Sequence, residues 1–270
     1  MAGHALMDEL RVEPGSSPRL GERDPGVRVG APSKREGLER LEQLVEQLAV
    51  LHNRLFAEAT RAVLLVLQGM DAAGKDGTVR SVLTGVNPQG CRIVSFREPS
   101  STELAHDYLW RVHAVCPARG ELGIFNRSHY EDVVAVRVRK LAPHHVWHKR
   151  YEHIREFERM LTDEGTTVVK VFLHLSKDEQ KRRMQERLDN PEKRWKFRAG
   201  DLEDRARWDD FQEAYEDALR ETSTAWAPWY VVPADHNWSR NLAVAEILVA
   251  AFERLDPKLP EPTIDAVEIT

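Results

Sequence analysis

A glycine-rich loop supplies the first residues that could do chemistry. In "LLVLQGMDAAGKDGT", residues 64–78, four residues separate Gly69 from Gly74, and Lys75 follows directly. This spacing lets backbone N–H groups surround a phosphate while the lysine reaches its outer oxygens. The helix predicted next turns its positive end toward the anion. The predicted phosphate contacts are Gly69, Ala72, Ala73, Gly74, Lys75, Asp76, Gly77, Thr78 and Arg80.

Two carboxylates accompany this loop. A bare carboxylate within about 4 Å of a phosphate would cost on the order of several kcal/mol, so Asp71 calls for a bridging cation. Mg²⁺ binds carboxylate and phosphate oxygens and often uses one or two protein carboxylates. Asp71 is therefore predicted to hold Mg²⁺, with Mn²⁺ as an alternative, directly or through water. Asp76 replaces the usual Ser or Thr and either joins this site or favours the helix N-terminus; Thr78 offers a substitute hydroxyl.

A second apolar run, in "GIFNRSHYEDV", ends in Asn126 and Arg127 where nucleotide-hydrolysing proteins usually carry an acidic metal ligand. At a strand tip beside the loop, Arg127 is predicted to stabilise charge on a transferring phosphoryl group. Glu131 and Asp132 lie one helical turn further on and are predicted to supply the missing metal carboxylate. With Asn126 they form the predicted nucleotide or metal side. The alternative is a charge pair at a helix N-terminus.

A basic segment follows the fourth apolar run. Between Lys181 and Arg198, eight Lys or Arg accompany three acids, a local charge of +5. Arg183 and Arg187 are four residues apart and share a predicted helix face. Helix, basic turn and helix at about residues 177–208 predict a lid over phosphates, with Arg183, Arg187, Lys193 and Lys196 as its cations. A solvated helical hairpin is the alternative.

Five apolar runs of strand length alternate with longer helical patterns. They occupy residues 62–69, 91–96, 121–126, 166–175 and 229–235. Unbroken apolar runs are typical of strands covered on both faces, and long intervening helices are typical of crossovers between parallel strands. We predict an α/β fold with a five-stranded parallel sheet over residues 37–257. Residues 1–36, with frequent Pro and Gly, are predicted to be an extended or partly disordered arm, and residues 258–270 a tail.

Composition narrows the functional class. The formal net charge is -5, which argues against a nucleic-acid coat protein. Cys91 and Cys116 form no CxxC motif or disulfide framework, which suits a reducing compartment. No signal peptide or membrane span is visible. We therefore expect a cytoplasmic protein without nucleic-acid or membrane partners.

Two histidine-containing stretches have open interpretations. His144, His145 and His148 lie close together, but no cysteine or acid completes a ligand set, so they are interpreted as surface residues. The stretch "DHNWSRN", residues 235–241, follows the last strand. It either contacts a nucleotide base or ribose or caps the last helix through Asn237 or Ser239.

The sequence resembles the polyphosphate kinase 2 family. The resemblance runs through "LQGMDAAGKDGTV", "FREPS", "DYLWRVH", "FNRSHYEDV", "RLDNPEKRWKF", "DLEDRARWDDF" and "WAPWYVVPADHNWSRN". It implies a P-loop kinase-type fold with a helical lid. It also implies reversible, Mg²⁺-dependent transfer of the terminal phosphate of inorganic polyphosphate to a nucleotide. By position, Asp71 and Lys75 match the catalytic pair and Arg127 the strand-tip arginine, while Arg183 and Arg187 match the lid.

The wording "NRSHYED" is similar to the branch that accepts AMP as well as ADP. A phosphate acceptor is largely ionised near pH 7, because its second pKa is about 6, so no strong general base is required. Positioning and charge neutralisation must then supply the catalysis. Expected partners are polyphosphate and adenine nucleotides, with guanine nucleotides as a further candidate, and the chain is expected to form a homodimer or homotetramer.

Two other functions would also use a phosphate-binding loop. A nucleoside monophosphate kinase of the thymidylate type has a similar loop Asp, but Asp76 and Asn126 count against it. A non-catalytic nucleotide-binding module would keep the loop only for binding. The presence of Lys75, Arg127 and the lid arginines counts against that interpretation.

Overall fold

The centre of the fold is a β-sheet packed between two layers of helices. The computed structural model describes residues 2–262, without the side chains of residues 2–5 and Lys196. Its strands are β1 (Arg11–Val12), β2 (Ala62–Gln68), β3 (Cys91–Ser95), β4 (Leu122–Asn126), β5 (Thr166–His174) and β6 (Trp229–Pro233). They lie in the order β1-β6-β5-β2-β4-β3, and all neighbours are parallel except β1 and β6.

The helices connect these strands and cover both faces of the sheet. They are α1 (Ala2–Leu10), α2 (Lys34–Glu58), α3 (Lys75–Val82), α4 (Ser101–Leu104), α5 (Trp110–His113), α6 (Ala135–Val138), α7 (His144–Asp163), α8 (Lys177–Asp189), α9 (Ala199–Ala206), α10 (Trp208–Thr222) and α11 (Asn237–Leu255). Within residues 2–262, no helix combines the length and apolar content that crossing a bilayer requires.

Two hydrophobic cores hold the helices to the sheet. On one face, the apolar stripe of α2 is buried, with Leu48 and Leu55 fully covered beside α11. On the other face, α7 and α10 pack through side chains such as Ile154 and Leu219. All of β2, between β5 and β4, is buried. The predicted α/β class and the five parallel strands are confirmed, since each apolar run forms a strand; four of these strands are buried almost throughout, and β3, at the edge of the sheet, is partly exposed.

The N-terminal segment differs from the extended or partly disordered arm predicted for residues 1–36. Residues 2–10 form α1, and β1 adds a sixth strand, antiparallel, to the edge of β6. Val12, Leu20 and Val29 are buried. These apolar residues are too irregularly spaced to show a period, but each packs into the existing core. Of the predicted tail, residues 263–270 lie outside the described part of the chain.

Sheet order determines where a functional site can form. Because β2 and β4 are parallel neighbours, with Leu67 paired to Asn126, their carboxyl ends lie side by side. The loop after β2 and the residues after β4 therefore meet at one edge of the sheet, where ligands of open α/β sheets bind.

The N-terminal segment has a specific anchor on α10, which gives a stability prediction. The Glu216 carboxylate accepts hydrogen bonds from Ser17 Oγ at 2.7 Å and from the backbone N–H groups of Arg19 and Leu20 at 2.8 Å. We expect Glu216→Ala to lower the free energy of unfolding by about 2 kcal/mol, measured by urea denaturation. Glu42→Ala, at an exposed position of α2, is the control. Equal stability of the two variants would contradict this anchor.

Candidate functional site

The backbone of the loop between β2 and α3 explains its glycines. Gly69 has φ +148°, and a Cβ there would lie 2.8 Å from the carbonyl oxygen of Leu173. Gly74 has φ +102°, and a Cβ would lie 2.0 Å from Nη1 of Arg240. Ala72 also adopts a left-handed conformation, with φ +66°. The loop is a tight structure that neighbouring groups approach closely, as phosphate-binding loops require.

Two buried arginines hold the carbonyl groups of this loop. Arg183 donates through Nη1 to the carbonyl oxygens of Ala72 at 3.1 Å and Ala73 at 3.2 Å, and through Nη2 to Ala234 at 2.7 Å. Arg240 donates to the Ala73 oxygen at 3.0 Å. Because a trans peptide points its N–H away from its C=O, the N–H of Gly74 faces the other side of the loop. Burial and the charge of Arg183 lower the pKa of Arg240 to about 9.

The two arginines predicted to belong to a lid therefore differ in their surroundings. Arg183 was predicted to face phosphates with Arg187, but its guanidinium is buried against the loop carbonyls and Glu179. Arg187, one turn later, is half-buried and makes no hydrogen bond or ion pair with the described residues. Its charge acts on Asp71 across the cleft. Lys193 is exposed after α8, and the Lys196 side chain lies outside the described part.

Asp71, Lys75 and Arg127, predicted from separate motifs, meet in space. Arg127 Nη2 donates to Asp71 Oδ1 in an ion pair. Lys75 Nζ donates to the carbonyl oxygens of Gly69 at 2.6 Å and Met70 at 3.3 Å. Arg127 follows β4 with a left-handed φ of +60°, and its N–H bonds to β2. The site thus concentrates two cations and one carboxylate at the carboxyl ends of two adjacent strands.

These neighbours shift the pKa values of the cluster. Burial alone would raise the pKa of Asp71, but the charges of Arg127, Lys75 and Arg187 lower it below its ordinary value. Burial and the charge of Arg127 lower the pKa of Lys75 to about 8, although Asp71 and Glu131 oppose this shift. At neutral pH, Asp71 is ionised and Lys75 is mostly protonated.

The remaining predicted loop residues play different parts. Asn126 Nδ2 donates to Asp76 Oδ1 at 2.7 Å, which links the first turn of α3 to the tip of β4. Thr78, considered as a substitute metal hydroxyl, is buried and donates to Asn241 Oδ1 at 3.3 Å. Its hydroxyl therefore faces α11 and not the loop interior. Gly77 is half-buried and Arg80 is exposed on α3.

Glu131 and Asp132, predicted to act together, face different surroundings. The charge of Glu131 acts on Lys75 and Arg127, and the amide of Gln68, oriented to satisfy its neighbours, donates to Glu131 Oε1 at 3.1 Å. Asp132 instead lies 3.6 Å from Arg111 and Arg150 and lines a separate cavity of about 540 Å³. Consecutive residues of a 3₁₀ turn point in different directions. Asp132 is therefore not placed as a metal ligand beside Asp71.

Several residues that support the site were not predicted from the sequence. Arg240 and Asn241 lie in "DHNWSRN": Arg240 donates to the glycine loop, and Asn241 accepts a hydrogen bond from Thr78 of α3. Neither Asn237 nor Ser239 caps α11. Gln180 Nε2 donates to the Asp71 carbonyl oxygen at 3.0 Å. Asp201 of α9 is buried, and burial and the charge of Asp71 raise its pKa. Arg240 and Asn241 could have been found from their position shortly after the last strand, because the carboxyl ends of the parallel strands face the site.

The candidate metal ligands beside the glycine loop are carboxylates. Within the described residues, no group of three or more His, Cys, Asp or Glu side chains is arranged to hold a metal. His144, His145 and His148 are exposed at the start of α7. Asp71 and Glu131, both close enough to Lys75 to act on its charge, are the donors that suit an ion sharing phosphate oxygens.

The different surroundings of the lid arginines predict different stabilities. Arg183→Met removes donors from buried loop carbonyls, so we expect the free energy of unfolding to fall by about 3 kcal/mol. Arg187→Met leaves no such group unsatisfied and should change it by less than about 0.5 kcal/mol. Urea denaturation of both variants checks this, and a larger loss for Arg187→Met would contradict the placement.

Comparison with known proteins agrees with this geometry. The profile of the family Polyphosphate kinase 2 (PPK2) matches residues 31–260. An "AMP/ADP-polyphosphate phosphotransferase" from Meiothermus ruber is 59% identical over 257 residues, covering 95% of this chain and 96% of the relative. An "ADP-polyphosphate phosphotransferase" from Rhodopseudomonas palustris is 47% identical, covering 94% of this chain and 92% of the relative.

The fold comparison gives the same result. A crystal structure of polyphosphate kinase 2 from Arthrobacter aurescens superposes with a TM-score of 0.93 at 42% sequence identity. The superposition covers 97% of this chain and 93% of that structure. The family match spans the glycine loop, the strand-tip arginine and the predicted lid in one continuous region. This chain belongs to the polyphosphate kinase 2 family.

Proposed function

We propose that this protein transfers the terminal phosphate of inorganic polyphosphate to ADP, forming ATP, and to AMP, forming ADP. The observation that carries the proposal is the meeting of Asp71, Lys75 and Arg127 at one glycine loop. The names of the relatives from Meiothermus ruber and Rhodopseudomonas palustris describe transfer between polyphosphate and these nucleotides. Family membership favours this function over the thymidylate-type kinase considered from the sequence.

Charge neutralisation is the main task of the side chains. Donor and acceptor are both polyanions, and their repulsion opposes approach of the reacting oxygen to the terminal phosphorus. Lys75 and Arg127 place two positive charges where the phosphates converge, and buried surroundings strengthen their effect. The acceptor oxygen is already largely ionised near pH 7, because the second phosphate pKa is about 6. No residue is therefore needed as a strong general base.

Asp71 and Glu131 are the proposed protein ligands of Mg²⁺, or of Mn²⁺ as an alternative. A divalent ion held by these carboxylates would supply positive charge that neutralises the phosphates. Asp71 is suited to this part because its pKa lies below the ordinary value, so it stays ionised. Its ion pair with Arg127 fixes the carboxylate beside the carboxyl end of β4.

The hairpin formed by α8 and α9 is proposed as the lid. Arg187 and Lys193 present positive charge there, while Arg183 supports the loop beneath them. The Arg139–Asp204 ion pair, at 2.7 Å, joins α9 to the segment after α6. A flexible polyanion fits such a surface because several phosphates can interact with separate cations. Guanine nucleotide acceptors, a homo-oligomeric state and a cytoplasmic location stay predictions.

A direct assay tests the function. The purified protein is incubated with Mg²⁺, polyphosphate and separately AMP, ADP or GDP, and new nucleotides are separated by ion-exchange chromatography. Formation of ATP from ADP that requires polyphosphate is the expected result. If ATP forms only when a second nucleotide triphosphate is supplied, polyphosphate is not the donor and the proposal fails.

The role of Asp71 predicts a large loss of turnover. Asp71→Asn keeps the size of the side chain but removes the proposed metal carboxylate, so kcat should fall by about 100-fold or more. Asp209→Asn, the same change at an exposed position of α10, should be neutral. Circular dichroism checks that both variants fold. Folded Asp71→Asn with wild-type turnover would contradict the assignment.

The lowered pKa of Lys75 predicts an alkaline limit. The side chain carries a positive charge below about pH 8, and this charge is lost as the pH rises through that value. The kcat/KM for polyphosphate, which reports the free enzyme, should therefore decline above about pH 8. Bound phosphates stabilise the ammonium, so the decline in kcat should start at higher pH.

Lys193→Gln removes an exposed lysine of the proposed lid. It should lower kcat/KM for polyphosphate at every pH without changing the pH at which kcat/KM begins to decline. A wild-type profile that stays flat to about pH 9.5, with the protein still folded, would contradict the role of Lys75.

We expect Glu131 to matter more when AMP is the phosphate acceptor than when ADP is. AMP has one phosphate fewer than ADP, so its reactive oxygen depends more on metal and side-chain contacts that replace the missing group. Glu131→Gln should lower kcat/KM for AMP about tenfold more than for ADP. Initial rates with each acceptor at saturating polyphosphate check this. Equal losses would contradict the selective role and show that Glu131 contributes equally with both acceptors.

A further inference from the structure

A fully buried ion pair lies beneath the functional site. Lys170 of β5 and Glu158 of α7 are both buried, and Lys170 Nζ donates to Glu158 Oε2 at 2.6 Å. The ammonium also donates to the Thr222 carbonyl oxygen at 2.7 Å and to the hydroxyl of Tyr130 at 3.0 Å. All three protons of the ammonium therefore have an acceptor.

The ion pair grips the middle of the segment that follows β4. Tyr130 donates its hydroxyl to Glu158 Oε1 at 2.8 Å, and His129 Nε2 lies 3.4 Å from the same oxygen. Both rings are buried. One carboxylate on α7 and one ammonium on β5 thus fix two consecutive residues that belong to neither element.

The two ends of this segment reach the functional site. Arg127, at the start, pairs with Asp71, and Glu131, at the end, acts on the charge of Lys75. Arg127 has a left-handed φ of +60°, which is unfavourable for a residue with a side chain and persists only when surrounding structure imposes it. The buried contacts of His129 and Tyr130 fix the residues that follow Arg127, and the Arg127 N–H bond to Leu67 of β2 fixes the residue itself.

Stability alone does not account for the ion pair. Removing two charges from water is costly, and well-packed apolar residues of similar volume are often as stabilising as a buried ion pair or more so. A hydrogen-bonded network instead specifies one arrangement, because each donor must meet its acceptor. Small displacements matter in phosphoryl transfer, since misplacement by about 1 Å can cost about 100-fold in rate.

We propose that Glu158, Lys170 and Tyr130 are positioning residues for phosphoryl transfer, which hold the segment 127–132 so that Arg127 and Glu131 face the glycine loop. This proposal rests on the proposed function for its kinetic consequence, but its structural consequence can be measured without activity.

Removal of a single hydroxyl is the sharpest test. Tyr130→Phe keeps the ring and deletes the contacts to Glu158 and Lys170. We expect kcat to fall about tenfold or more, while the KM values for ADP and polyphosphate change less than about twofold. Amide hydrogen exchange in the peptide covering residues 127–132 should become faster, with other core peptides unchanged. The control is Tyr151→Phe, which deletes the hydroxyl of a buried tyrosine on α7. It should leave kcat and the exchange of residues 127–132 unchanged.

An apolar replacement separates positioning from stability. The triple variant Lys170→Met, Glu158→Leu and Tyr130→Phe fills a similar volume without charge, so its melting temperature should equal or exceed that of Tyr130→Phe. Its kcat should remain at or below that of Tyr130→Phe. Wild-type kcat in either variant would overturn the proposal. It would also be overturned by faster exchange in all core peptides together.

The two hypotheses fail in distinguishable ways. If the wild-type protein makes no ATP from polyphosphate and ADP, the proposed function is wrong. Local exchange at residues 127–132 in Tyr130→Phe would then still support the structural part of the inference, and unchanged local exchange would overturn it.

Discussion

The ion pair between Asp71 and Arg127 is the interaction on which the site depends. It joins the loop after β2 to the residue after β4, and it forms only because these strands are parallel neighbours with level ends. In the proposed function Asp71 is a ligand of Mg²⁺, and a carboxylate in that role has to stay ionised close to phosphates. Pairing with Arg127 lowers the energetic cost of burying Asp71 while keeping both groups charged.

Positive charge in this protein serves two purposes that the sequence alone cannot separate. Arg183 and Arg240 are buried, and they donate to the carbonyl oxygens of the glycine loop. Lys75, Arg127 and Arg187 all act on the charge of Asp71. Lys75 serves both purposes, since it also donates to the carbonyl oxygens of Gly69 and Met70. Buried donors of this kind are costly to remove because the carbonyls they satisfy have no access to water.

A similar division applies to the segment after β4. Its ends provide Arg127 and Glu131 to the site, whereas His129 and Tyr130 between them are buried in the network of Glu158 and Lys170. A short segment with a single 3₁₀ turn can therefore be fixed in one position by contacts outside it. These contacts are hydrogen bonds to α7 and β5, which are themselves held by their packing on the sheet.

The sequence by itself determined the elements and the chemical character of the site. Mostly apolar runs marked the five parallel strands, since β2, β4, β5 and β6 are covered on both faces. The edge strand β3 was marked in the same way although it is partly exposed. The spacing of Gly69, Gly74 and Lys75 identified the loop, because the backbone geometry of such a loop is local. Arg127 was identified for a similar reason, from its place at a strand end.

Only the tertiary structure decided what depends on distant neighbours. Arg183 and Arg187 are alike in sequence, but one helical turn places the first beneath the loop and leaves the second half-exposed. Glu131 and Asp132 separated because a 3₁₀ turn directs them to different surroundings. The N-terminal segment showed no periodicity, yet Val12 and Leu20 are buried because the core offers them a complementary surface. Long-range packing of this kind leaves no local signal in the sequence.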